Sequence, residues 1–244
     1  MLAMNEQSRT TQITSRIKAC LEPLGSDEHL NEPLYAINWF NTRWSFLYTF
    51  YTMLAAWPVA RSQSRLWLKA KHRSILSGSP QDQRSMLLIV RYPAARHFLD
   101  LLSNKFFQVI SLLRELAVKQ FSFVLNHRVP SSRFSHDLPP LPEGTAIAVH
   151  HFSSQKPFLD DLNMIGALID GSQVSICMAS HKSVQVVLER AGEVRTALPF
   201  STDKVVIFSG PDFEELEFWL AGPSYTAFIA SLSSSYVATL ERTG

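Results

Sequence analysis

One course of residues runs twice along this chain, and an internal repeat narrows the possible folds more than any single motif does. MLLIVRYP (Met86–Pro93) is an apolar run of strand length closed by proline. From Phe98 apolar residues recur at helical spacing, at Leu101, Leu102, Val109, Ile110, Leu113 and Leu116, and FSFVL (Phe121–Leu125) returns to β-rich composition before Asn126-His127-Arg128. Lys204–Arg242 follows the same course: KVVIFSGP, a helical FEELEFWL to YTAFI, then YVATL running into Glu241-Arg242. Pro93 and Pro211 lie 118 positions apart, as do Phe107 and Tyr225, while Arg128 and Arg242 lie 114 apart.

The segments upstream extend the repeat. LYAINWF (Leu34–Phe40) reads as a strand, and Thr42 is placed to cap a helix that Trp57-Pro58 stops after Ala56. SRLWLKAKH (Ser64–His72) alternates Leu66 and Leu68 with charge, the period of a half-exposed strand, and the polar SGSPQDQR (Ser77–Arg84) turns into the strand at Met86. The order β-α-β-β-α-β is the split βαβ, or ferredoxin-like, arrangement. In the second half TAIAVHHF (Thr145–Phe152) aligns on LYAINWF at an offset of 112, which pairs Asn38 with His150 and Trp39 with His151. A helix covers Phe158 to about Ile169, and VQVVLERAG (Val184–Gly192) aligns on the Leu66 strand, with about seven extra residues before Val184. VSICM (Val174–Met178) either extends the helix or begins a strand. The expected organisation is a polar lead-in over 1–32, a first repeat over 33–129, a proline-rich linker over 130–144 and a second repeat over 145–244.

A four-stranded sheet with both helices on one face leaves its other face bare, and exposed apolar area costs about 25 cal/mol per Å². Two such sheets packed on each other cover both faces. The expected fold is therefore α+β, with two tandem ferredoxin-like repeats packed sheet to sheet as an α+β barrel within one chain. Ligands favour the concave, mostly apolar space between such sheets.

Composition bounds the function. Apolar residues at 46% and charged residues at 18% are globular values, and a net charge of +2 without a Lys/Arg block gives no reason to expect nucleic acid. Trp44–Val59 is too short to span a bilayer and reads as a buried helix, so no membrane is expected. The amino terminus lacks a signal-peptide core, and Cys20 and Cys177 are read as free thiols, which points to the cytoplasm.

Gly222-Pro223-Ser224-Tyr225, after a helix that follows a VVIF strand, resembles the S-x-P-x-Y element of the DUF1330 family. The first copy has Asn104-Lys105-Phe106-Phe107 there, without the proline, and keeps the Leu113-Arg114 that often follows, where the second copy has Leu232 at the arginine's place. The resemblance implies membership of the dimeric α+β barrel superfamily, whose members include antibiotic-biosynthesis monooxygenases, muconolactone isomerase and heme-degrading enzymes.

His150 and His151 are the candidate catalytic residues: neighbours on a strand point to opposite faces, so one imidazole enters the space between the sheets and can act as a base near neutral pH. Asn38, Trp39, Arg91 and His127 are candidate substrate-binding residues, with Arg91 suited to an anionic group. Asp160-Asp161 reads as a solvated helix start, and no cluster has metal-site spacing, so neither metal nor cofactor is expected. The first reading is a small enzyme acting on an aromatic or polyketide-like molecule by cofactor-independent acid/base chemistry of isomerase, cyclase or monooxygenase type. The alternative is a non-catalytic ligand-binding or accessory scaffold protein, with heme binding or degradation behind both. Either reading fits a monomer or a homodimer.

Overall fold

The computed structural model describes residues 31–128, 141–186 and 202–243. In chain order the elements are β1 (Leu34–Thr42), α1 (Ser45–Arg61), β2 (Arg65–Ser77), a 3-10 turn (Pro80–Asp82), β3 (Met86–Tyr92), α2 (Ala95–Ser103), α3 (Lys105–Ala117) and β4 (Val118–Arg128). They continue with β5 (Ala146–Ser153), α4 (Phe158–Ile169), β6 (Ser175–Val186), β7 (Lys204–Gly210), α5 (Phe213–Leu220), α6 (Pro223–Ala230) and β8 (Ser234–Arg242).

All eight strands are antiparallel to their neighbours and close into one barrel in the order β1-β3-β2-β8-β5-β7-β6-β4. The two halves therefore do not form two sheets laid face to face; they join edge to edge by hydrogen bonds into a single wall. The long strands make the joins. β2 pairs with β3 from Arg65 to Lys71 and with β8 from Ala70 to Ser77. β6 pairs with β7 from Ser175 to His181 and with β4 from Ser180 to Val186. Closure leaves no open edge in the wall, which removes the usual site of unwanted strand pairing.

Strand alternation sorts side chains into three cores. Odd-numbered residues of β1 and β5, among them Tyr35, Ile37, Trp39, Ile147 and Val149, face the lumen with Leu68, Ile89, Ile207 and Leu240. Even-numbered residues face the helices: Leu34, Ala36 and Phe40 under α1, α2 and α3, and Ala146, Ala148 and Phe152 under α4, α5 and α6.

Several expectations change. α1 does not stop at Trp57-Pro58; Pro58 lies inside it, forgoing one backbone bond in the last turn, and Arg61 ends the helix. Thr42 belongs to β1 rather than capping α1; Trp44 is the N-cap, without a side-chain capping bond, and the chain entering the helix is held by Ala117, which accepts from Arg43 N at 2.7 Å and Trp44 N at 3.1 Å. The second helix of the first half is two helices, broken at Asn104, whose side-chain oxygen accepts from Phe107 N at 3.0 Å. VSICM begins a strand, so the partner of the Leu66 strand starts at Ser175 and not at Val184; Val184–Val186 are its far end, and the rest of the expected strand lies outside the described residues. The extra residues of the second half accordingly follow β6 instead of preceding it. Among the described residues no helix is long and apolar enough to cross a membrane.

Candidate functional site

β5 carries both histidines, and the pleat sends them to different cores. His151 points into the lumen. It meets Trp39, which reaches across the barrel from β1, four strands away around the ring, and donates its indole N–H to His151 Nε2 at 3.1 Å. An indole nitrogen can only donate, so the neutral imidazole carries its hydrogen on Nδ1. Tyr236, opposite His151 in register on β8, completes an aromatic cluster, its ring 6.0 Å from Trp39 and 6.4 Å from His151. Burial, with a smaller contribution from His150, pushes the His151 pKa down to about 3. As found, Nε2 is occupied and Nδ1 is a donor, so His151 is not arranged as a general base.

His150 faces the helices of the second half. Its Nδ1 lies 2.7 Å from the hydroxyl of Tyr225 and its Nε2 3.0 Å from that of Ser235, with Phe152 and Phe228 around the ring. Burial lowers its pKa to about 3 as well and raises that of Tyr225, so both partners are neutral. Asn38, aligned with His150, likewise faces its own helix layer and donates to the carbonyls of Ala36 and Leu88, both at 3.0 Å. Having Phe107 where the second half has Tyr225, the first half offers no hydroxyl for a polar group at this place.

The structure therefore brings together Trp39 and His151 and separates the rest. Arg91 has lumen parity but pairs with Tyr35, four residues from Trp39 along β1, or roughly 13 Å at the strand rise. His127 lies opposite Leu34, nearly buried, with its Nδ1 3.4 Å from Glu32 Oε2.

Level with Arg91 the lumen holds a second polar layer. Tyr35 and Trp67 stack edge to face at 6.2 Å, and Asn126, facing Tyr35 from β4, donates to Ser180 Oγ at 3.0 Å. Among the described residues Trp67 Nε1, Asn126 Oδ1 and Tyr236 Oη have no hydrogen-bond partner, although the three residues are 4%, 0% and 0% exposed. Asn126 was legible only as part of a polar strand end, and Trp67 sits at a bulge where alternation fails.

One charged pair was misread. Asp161 is not solvated: it is 1% exposed and its Oδ2 accepts from Lys204 Nζ at 2.7 Å and from Ser154 Oγ at 2.6 Å, while Nζ also donates to Lys156 O at 2.6 Å. The pair ties the start of α4 to the start of β7 and shares no atom with the lumen.

No family model matches the sequence, and no curated protein matches it. Among solved structures, an anthrone oxidase-like protein superposes with a TM-score of 0.54 over 87% of this chain and 92% of that one, at 10% identity. A heme-binding protein from Thermus thermophilus covers 87% and 92% at 9% identity and TM-score 0.46. A mutant chlorite dismutase from Candidatus Nitrospira defluvii covers 86% and 91% at 10% identity and TM-score 0.48. The first of these likenesses extends over the whole barrel, and the fold is that of the dimeric α+β barrels with every strand supplied by one chain.

Proposed function

We propose that this chain is a small-molecule-binding barrel built from two tandem ferredoxin-like repeats, 33–129 and 145–244, with its ligand held in the lumen between Trp39–His151 and Arg91. Register supports the repeat. Leu34 faces Tyr92 and His127, and Ala146 faces Gly210 and Glu241, which reproduces the sequence offsets of 112, 118 and 114. β2 and β6 each carry a bulge one residue after their first pairs, at Leu66/Leu68 and Ile176/Met178. The DUF1330 likeness draws support from one contact: the tyrosine of the Pro223-Ser224-Tyr225 element is the residue that meets His150.

The observation that carries the binding reading is the set of buried, unpartnered lumen atoms: one indole donor, one amide acceptor and one phenol. Each such group costs about 1–3 kcal/mol when left unpaired, so the lumen favours an occupant that offers both an acceptor and a donor. An eight-stranded barrel is wide enough for side chains or for one small ligand. A planar aromatic bearing a hydroxyl or carbonyl fits those terms, with any anionic substituent toward Arg91. The test is tryptophan fluorescence with p-hydroxybenzoate, 1-naphthol and a hydroxyanthrone, the last because the anthrone oxidase-like protein has this fold. Saturable quenching that weakens about tenfold or more in Asn126→Leu, the loss of one neutral hydrogen bond, is the expected result. Absence of saturable quenching by all three, or quenching indifferent to that substitution, rejects the reading in favour of water-filled or purely structural polar layers.

A catalytic version is the second reading, and the Trp39–His151 bond gives it a definite form. A neutral imidazole with its hydrogen on Nδ1 stabilises a developing enolate oxygen by donation; it does not remove the proton.

A further inference from the structure

The outer surface of the first half carries more apolar area than a solitary molecule ordinarily shows. α1 has no charged residue from Ser45 to Ala60, and both its faces are apolar. Tyr48, Tyr51, Ala55 and Pro58 go inward, while Phe46, Phe50, Met53 and Trp57 form an outward stripe, 75%, 50%, 70% and 57% exposed. α3 lies antiparallel beside it and adds Phe106, Val109, Leu112 and Leu116 at helical spacing, with the rings of Trp57 and Phe106 6.0 Å apart. The sequence reading of this segment as a buried helix is thus half right: the inner stripe is buried by the barrel and nothing described in this chain covers the outer one.

We propose that this α1/α3 face is an isologous interface occupied by a second copy of the chain. Area is the first argument. At roughly 150–250 Å² for a large side chain fully in water, the exposed fractions amount to on the order of 1,000 Å². The largest apolar patch of an ordinary monomer is about 300–600 Å², whereas a stable complex buries about 800 Å² per partner. Self-complementarity is the second. Glu115 and Arg43 lie at one end of the face, where Arg43 N bonds to Ala117 O, and Arg61 lies at the other, at the end of α1. A twofold axis through the middle of the face exchanges the ends and carries Arg61 of each copy toward Glu115 of the other, as a closed dimer requires. The second half shows no comparable surface: Leu159, Met164 and Phe218 are its large exposed apolar residues among those described. The proposal is independent of what the lumen binds.

Sedimentation equilibrium of the full chain tests it. The expected mass is twice 27.6 kDa at micromolar concentration. Met53→Glu, at a position whose side chain touches mostly water, should raise the dimer dissociation constant on the order of 100-fold while leaving the circular dichroism spectrum unchanged. Arg61→Glu should weaken the dimer, and adding Glu115→Arg should restore it. A monomer at tens of micromolar overturns the proposal, as does a dimer indifferent to Met53→Glu. If the monomer dimerises only after removal of residues 1–30, those residues are the occupant instead. If it co-sediments with phosphatidylserine vesicles through Met53, the occupant is a lipid surface. Either outcome rejects the second copy.

Discussion

His150 and His151 are chemically identical neighbours with unlike surroundings, and both are held neutral by burial. This has a consequence for stability that does not depend on function. In the unfolded chain each imidazole takes a proton near pH 6.5, and in the folded chain near pH 3. Between those values the unfolded state binds more protons, so stability is full above pH 6.5 and falls as the pH drops, by about 1.4 kcal/mol per unit for each group. Urea melts at pH 7.5 and pH 5.0 should differ by about 2 kcal/mol for each histidine, beyond any contribution from carboxylates. His151→Gln should remove about half of the histidine contribution, because an amide can accept from Trp39 without titrating while His150 still titrates. An unchanged slope in that variant would mean that His151 is not among the groups responsible. Within the catalytic reading the same variant separates two roles: an enzyme using His151 as a donor keeps much of its rate with glutamine, whereas one needing a base does not.

At the level of elements, β2 and β6 decide the architecture. A strand serving only its own half could end near Lys71 or His181, where pairing with β3 or β7 ends. Both run on by about six residues and pair with the opposite half, and polar side chains mark these seams. Ser74 and Thr239 lie 2.6 Å apart and both donate to Glu217 of α5, at 3.0 and 2.9 Å, while Asn126 and Ser180 meet at the other seam. The turn after β2 then folds back under Tyr236. Gly78 there has φ +117°, and a Cβ on it would lie 2.7 Å from Tyr236 Cδ2. Gly78→Ala meets both a disfavoured backbone conformation and a ring fixed between Trp39 and His151. It should destabilise by about 1–3 kcal/mol in urea melts. It should also alter the near-ultraviolet signal of the aromatic cluster. A neutral effect would show that the turn is freer to move than its contacts indicate.

On the scale of the whole molecule, closure makes each half depend on the other. Residues 33–129 alone would leave the far part of β2 and all of β4's outer edge unpaired and the lumen face open to water, a combination that favours aggregation. Each half expressed alone should therefore be insoluble or self-associated. The two coexpressed should copurify in equal amounts with a spectrum like that of the intact chain. A half that is monomeric and folded by itself would contradict this dependence. It would also weaken the repeat reading, in which one chain does the work of two identical subunits.

The sequence by itself determined most of the kinds of element, their order and the alternation of side chains along β1 and β5, because period-2 and period-3.6 patterns are local consequences of backbone geometry. It also aligned Trp39 with His151, the two residues that meet across the lumen. It did not determine which histidine faces the lumen, since both faces of β5 are buried and its residues are apolar on either side. It misplaced β6 because that strand is long enough to hold two β-rich runs, SICMAS and SVQV, and the second alternates more clearly. It misread Asp161, whose partner Lys204 lies 43 residues away and comes near only when β7 lines up beside β5. Trp67 and Asn126 belong to the lumen for the same kind of reason: a bulge and a seam between halves are set by pairing between distant strands, and no pattern within either strand records them.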